Sequence, residues 1–187
     1  MKKIAIFASG EGTNAQRLID YCKGSEIKIM LIVCNNPTAN VLNRARKNNI
    51  PSLLIDKEMF NNGDSVLKKL QDSKIDLIVL AGFLWKIPNN ILRSFPNKII
   101  NIHPALLPKF GGKGMYGINV HQAVVEAGEK QSGITIHYVN ENYDEGEMIL
   151  QKKCDVAKED TAEMLAQKVL QLEHEWYPKT IELILKS

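Results

Sequence analysis

Apolar and polar positions follow two periods along this chain. Lys3–Ala8 is an apolar, β-leaning run, and Ile27–Cys34 is a second, closed by Asn35-Asn36-Pro37. Asn14–Lys23 has helical spacing in Leu18, Ile19 and Cys22, and Asn40–Lys47 places Val41, Leu42 and Ala45 on one helical face. Ser52–Ile55 is a short apolar strand, and Phe60–Ser73 is predicted as one amphipathic helix on Val66, Leu67 and Leu70. Ile75–Ala81, interrupted only by Asp76, reads as a strand buried on both faces, and Lys98–Asn101 as another short strand. Pro104–Gly117 is rich in glycine and proline and is predicted as a long, functional loop. Val120–Ala127 follows as a helix. Ser132–Val139 and Met148–Val156 are β-rich and joined by the polar Asn140–Glu147 loop, which predicts antiparallel strands at one edge. A last helix starts at Asp160-Thr161 and runs through Ile184, with Leu165, Val169, Leu172 and Trp176 as its buried stripe. Pro178 is expected to kink or interrupt it.

This β-α-β-α order predicts a Rossmann-like three-layer α/β fold. It has a mostly parallel sheet, helices on both faces and an antiparallel edge. The 187 residues suffice for a single domain over 1–187. Composition adds exclusions. With 44% hydrophobic and 24% charged residues the chain is ordinary globular protein, and a net charge of +3 without a dense Lys/Arg run argues against a nucleic-acid partner. No apolar stretch is long enough for a membrane span, and Met1-Lys2-Lys3 leads straight into a strand rather than a signal-peptide core. Three cysteines, Cys22, Cys34 and Cys154, with no C-x-x-C, predict reduced thiols in a cytoplasmic protein with neither disulfides nor a metal knuckle. Small-molecule substrates, and a monomer or weak homodimer, are the expectation.

Two local patterns carry candidate chemistry. Ser9-Gly10-Glu11-Gly12-Thr13-Asn14 lies between a strand and a helix, where free N–H groups and the helix dipole favour an anion. It is neither a full G-x-G-x-x-G nor a P-loop, so a phosphate turn and a plain capped turn both remain open. Glu11 is expected to face solvent. Asn101-Ile102-His103-Pro104 ends a strand, where α/β sheets bind ligands. Two residues apart in extended chain, Asn101 and His103 point to the same side, and Pro104 favours that geometry. An amide donor beside an imidazole suits a reaction that passes through an oxyanion. The alternative is a strand cap with a locally bonded histidine. Asp144 sits in an acidic loop. Brought near His103, it would raise the imidazole pKa from about 6.5.

The stretch Asn101-Ile102-His103-Pro104-Ala105-Leu106-Leu107-Pro108 resembles the N-x-H-P-[SA]-L-L-P signature of the folate-dependent formyltransferases. Tyr143-Asp144-Glu145-Gly146 is similar to their catalytic-aspartate loop. The Ser9–Asn14 turn, Ala81-Gly82-Phe83-Leu84 and Glu173-His174-Glu175-Trp176-Tyr177-Pro178 resemble members that act on a small phosphorylated acceptor. The resemblance implies 10-formyltetrahydrofolate as co-substrate, no metal, and formyl transfer to the amine of 5-phosphoribosyl-glycinamide in purine synthesis. It implies Asn101, His103 and Asp144 as catalytic residues. It implies Gly12, Thr13, Asn14 and Glu173 as contacts for the phosphorylated acceptor. It implies Leu84, Trp85, Lys86, Ile87, Asn101 and the Asn140, Glu141, Asn142, Tyr143, Asp144 loop as the folate slot. The chain departs from the family at Asn61-Asn62-Gly63-Asp64, where many members carry an arginine for the folate tail, and in the long Gly111–Gly117 loop with Lys113. His137 resembles a position near the folate or simply packs. His121 and His174 read as satisfied helix residues, and Trp85 and Trp176 as packing. Rival readings are formyl transfer to charged tRNA, or formyl hydrolysis, on the same triplet, and a non-catalytic nucleotide-binding module. Both formyl rivals carry an appended domain for which 187 residues leave no room.

Overall fold

A computed structural model describes residues 1–186. Seven strands form one sheet: β1 (Lys2–Ala8), β2 (Ile27–Cys34), β3 (Ser52–Leu54), β4 (Leu77–Leu80), β5 (Ile99–His103), β6 (Gln131–Tyr138) and β7 (Met148–Asp155). Their spatial order is β3-β2-β1-β4-β5-β6-β7. The first five run parallel, while β6 pairs antiparallel with β5, and β7 antiparallel with β6. The helices are α1 (Thr13–Cys22), α2 (Asn40–Lys47), α3 (Lys57–Asn62), α4 (Asp64–Asp72), α5 (Asn89–Ser94), α6 (Ile118–Glu126) and α7 (Ala162–Lys186). The predicted architecture is the observed one.

The sheet separates two cores, as alternation on β1 requires. Ile4, Ile6 and Ala8 pack with Leu18 of α1, Val41 of α2 and Leu165 and Val169 of α7. Ala5 and Phe7 pack on the other face with Phe60, Val66, Leu70 and Ile91 of α3, α4 and α5. The chain leaves β1 toward β2 on one side and later returns to β4 on the other. A crevice therefore opens between the carboxyl ends of β1 and β4, the position where open α/β sheets bind ligands.

Four elements differ from the pattern-based expectation. The single helix predicted over Phe60–Ser73 is two helices broken at Gly63, whose φ of 71° is left-handed. A Cβ there would also lie 2.5 Å from the Asn90 side chain. The short α5 escaped prediction because one buried residue, Ile91, gives no period to read. β5 extends beyond Asn101 to His103, because its pairing with β4 ends at Asn101 while pairing with β6 continues to His103. Helix α7 runs unbroken through Pro178. The missing N–H at Pro178 leaves the His174 carbonyl without its helical donor, and the Arg17 Nε donates to that oxygen at 3.0 Å. Thr161 starts the helix as expected, its Oγ1 accepting from Met164 N–H at 3.3 Å. Trp176 packs, with Lys152 Nζ 3.8 Å from its ring centroid. The three cysteines are free.

Candidate active site

A cleft of about 860 Å³ opens over the carboxyl ends of β1, β4 and β5, a size suited to a cofactor-scale ligand. Two of its walls are tied together. Ser9 N–H donates to Gly82 O at 3.0 Å, and Leu84 N–H donates to Ser9 Oγ at 3.0 Å. Gly12, Thr13 and Asn14 line one end with Glu173; Leu84, Trp85, Lys86 and Ile87 line another wall; Asn101, His103, Asn140, Asn142, Tyr143 and Asp144 complete it.

At the Gly-rich end, Gly12 caps α1 with φ 69° and ψ 34°. A Cβ there would lie 2.6 Å from Val41 Cγ2, so only glycine lets α2 pack this closely beneath the turn. Among the described residues no side chain caps α1, leaving its first N–H groups available to an anion. Glu11 is exposed, as expected. Asn14 Nδ2 donates to Glu173 Oε2 at 2.8 Å. Burial of Glu173, only partly offset by that bond, pushes its carboxyl up to about 7.

The other end gathers three distant segments. Asn101 and His137 are register partners across β5 and β6, and Asn101 Nδ2 lies 3.3 Å from His137 Nε2. His137 Nδ1 lies 2.8 Å from the Tyr138 carbonyl, an acceptor, so Nδ1 carries the proton in the neutral ring and Nε2 accepts from the Asn101 amide. One Asn101 N–H is thereby anchored and the other is left for a ligand. His103 Nε2 lies 2.7 Å from the Phe110 carbonyl, and its Nδ1 is 3.5 Å from Asp144 Oδ2. Asp144 Oδ1 is 3.6 Å from His137 Nε2, and Oδ2 accepts from Gly112 N–H at 2.9 Å. Asp144 itself holds a left-handed φ of 57°, a local strain of the kind kept at functional sites.

Electrostatics corrects one expectation. Asp144 does reach His103, but the His103 pKa is lowered, not raised. Burial of the ring outweighs the attraction of the Asp144 charge and the Phe110 hydrogen bond, and the His137 charge adds to the lowering. The neutral ring is the resting form. For Asp144, burial alone would raise the pKa, yet the hydrogen bond that His137 donates once its Nε2 carries a proton, the His103 charge and the Gly112 N–H together hold it below the ordinary value.

One residue of the expected folate slot lies outside the cleft lining. Glu141 is exposed and does not line the cleft. Asn142 N–H donates to Asn140 Oδ1 at 2.9 Å, folding a turn with residue 141 at its outer tip. The structure also adds residues. Lys113 lines the cleft. So does His121, which is not a satisfied helix residue: it is buried, its Nδ1 has no partner among the described residues, and burial pushes its pKa down to about 4. His137 does more than pack, since it touches both Asn101 and Asp144. Helical spacing of Val120, His121 and Val124 could have flagged His121 as inward-facing; nothing local flags the cross-strand register of His137. Among the described residues no group of three His, Cys, Asp or Glu side chains is placed to hold a metal, and no helix is long and apolar enough to cross a membrane.

Comparison with known proteins places this geometry. The family described as formyl transferase matches residues 2–181. Phosphoribosylglycinamide formyltransferase of Bacillus subtilis (strain 168) is 37% identical over 191 residues, covering 99% of this chain and 95% of that protein. The chloroplastic phosphoribosylglycinamide formyltransferase of Arabidopsis thaliana is 40% identical, covering 100% of this chain and 66% of its own length. The structure of glycinamide ribonucleotide transformylase 1 from Geobacillus kaustophilus is similar with a TM-score of 0.90 at 34% identity, covering 99% of both chains.

Proposed function

The chain belongs to the formyl transferase family, and from that premise we propose that it transfers the formyl group of 10-formyltetrahydrofolate to the amine of 5-phosphoribosyl-glycinamide in purine synthesis. The observation that carries this is the convergence of Asn101, His103 and Asp144 on one cleft whose other end is the Gly12–Asn14 turn. The folate lies along Leu84–Ile87 and the Asn140–Asp144 loop, and the acceptor phosphate at the N-terminus of α1.

The acceptor amine attacks the formyl carbon, and the carbonyl oxygen becomes an oxyanion. The free N–H of Asn101 donates to that oxygen, with His137 fixing the orientation of the amide. Neutral His103 takes the proton that the amine sheds and passes one to the departing folate nitrogen as the carbon–nitrogen bond breaks. Between those steps His103 is an imidazolium, and the Asp144 carboxylate beside Nδ1 stabilises it. The lowered His103 pKa suits a group that must begin as a base. Glu173 and Asn14 hold the ribosyl-glycinamide portion. The enzyme is cytoplasmic, monomeric or weakly dimeric, and works without a metal.

The test is direct. Purified protein given 10-formyltetrahydrofolate and 5-phosphoribosyl-glycinamide should release tetrahydrofolate with equimolar formylated acceptor. Water or charged methionyl-tRNA as acceptor should give none. Turnover with either of those alone would replace this function with hydrolysis or tRNA formylation, and silence in every arm would leave a binding module.

A further inference from the structure

The Gly-rich turn is gripped from below by one face of α2. Val41 N–H donates to Gly10 O at 3.2 Å. Arg44 Nε donates to Glu11 O at 2.7 Å, and Asn40 Nδ2 donates to Glu11 Oε2 at 3.2 Å. Val41 also closes off the space a side chain at position 12 would need. Residues 40, 41 and 44 thus hold three successive turn residues, at helical spacing that puts 40 and 44 one above the other.

The Glu11 contact has a directional consequence. In a trans peptide the C=O and the following N–H point in opposite directions. Drawing the Glu11 carbonyl toward Arg44 therefore aims the Gly12 N–H the other way. That N–H has no partner among the described residues, and Gly12 lines the cleft. Meanwhile Asn40 draws the Glu11 carboxylate to the first turn of α2, where the helix dipole favours it, and away from a bound anion.

We propose that Arg44 is a positioning residue for the acceptor phosphate, acting through the Glu11 carbonyl to aim the Gly12 N–H, with Asn40 parking the Glu11 carboxylate. This rests on the assignment of the Gly12–Asn14 turn to the phosphate. Arg44 contacts the turn and not the ligand, so its loss should move acceptor binding and leave the chemical step alone.

Two variants separate the roles of the side chain. Arg44→Met keeps the apolar stem and loses every donor, while Arg44→Gln loses the charge and keeps an N–H that can reach the carbonyl. Steady-state kinetics should show the KM for 5-phosphoribosyl-glycinamide rising roughly tenfold in Arg44→Met, as expected for one lost charge-assisted hydrogen bond. The kcat and the KM for 10-formyltetrahydrofolate should stay within about twofold, and Arg44→Gln should recover most of the loss. The same acceptor lacking its phosphate should be insensitive to either change. An unchanged KM in Arg44→Met would overturn the proposal, as would an equal rise in Arg44→Gln or for the phosphate-free acceptor. If the wild-type protein binds both acceptors equally, the phosphate assignment itself fails. If it discriminates and Arg44→Met discriminates equally, only the role of Arg44 fails.

Discussion

The two ends of the cleft are built in opposite ways. The Gly-rich end is contiguous: Ser9–Asn14 is one turn, and its chemistry is mostly backbone, so its function depends on what glycine permits at position 12. The catalytic end is assembled from β5, β6 and the loop before β7, and its chemistry is side chain, so its function depends on strand register and burial. Backbone sites tolerate side-chain change but not a new Cβ. Side-chain sites tolerate neighbouring changes but not loss of one titrating group.

That contrast can be broken at several points. The largest effect belongs to the catalytic end: His103→Ala should lower kcat by roughly 10²–10⁴ in a protein that still folds, measured by tetrahydrofolate release beside circular dichroism. Near-normal turnover would remove His103 from the mechanism. Asp144→Asn should cost on the order of 10²-fold in kcat, and it should also move a pH profile. The acid limb of kcat/KM should lie below pH 6.5, since the His103 pKa is lowered. It should shift further down in Asp144→Asn, because the charge that favours the imidazolium is gone. A shift upward would contradict the role given to that carboxylate.

At the opposite end, removing the phosphate from the acceptor should weaken its binding by on the order of 10²-fold, read by competition, as loss of a dianion from a helix N-terminus predicts. Gly12→Ala should destabilise the fold by about 1–3 kcal/mol through strain and the Val41 contact, and raise the acceptor KM. An unchanged denaturation midpoint would mean α2 yields more easily than its packing suggests. Glu173 gives the most subtle test. Its folded pKa of about 7 lies above the unfolded value of 4.5, so the native state binds the proton more tightly. Its contribution to stability is complete below pH 4.5 and is lost as pH rises through 7, by up to about 3 kcal/mol. Glu173→Gln should flatten stability across that window; a wild-type curve already flat there would refute the shift.

Much of this is legible in the sequence. The strand Ile27–Cys34 and the helix Asn40–Lys47 follow directly from period, and the antiparallel edge from two β-rich runs around a polar loop. Asn101 and His103 fall together because both lie in one extended segment. Gly63 is not legible because a glycine inside a helical period does not announce a left-handed φ, and α5 is not because six residues hold too little pattern. Glu141 stands outside the cleft lining for a similar local reason, a side-chain-capped turn that exposes its tip.

The sequence by itself determined which residue types stand at each strand end, and hence the class of chemistry available. It also set the glycine without which the turn could not lie on α2. Only the tertiary structure decided that His137 meets Asn101, that Asp144 reaches His103, and that burial leaves His103 neutral despite that carboxylate. The physical reason is that chain order fixes neighbours along a strand. Register between strands and the depth of a charge below the surface arise only when the sheet closes on its core, and those two quantities set both hydrogen-bond partners and pKa.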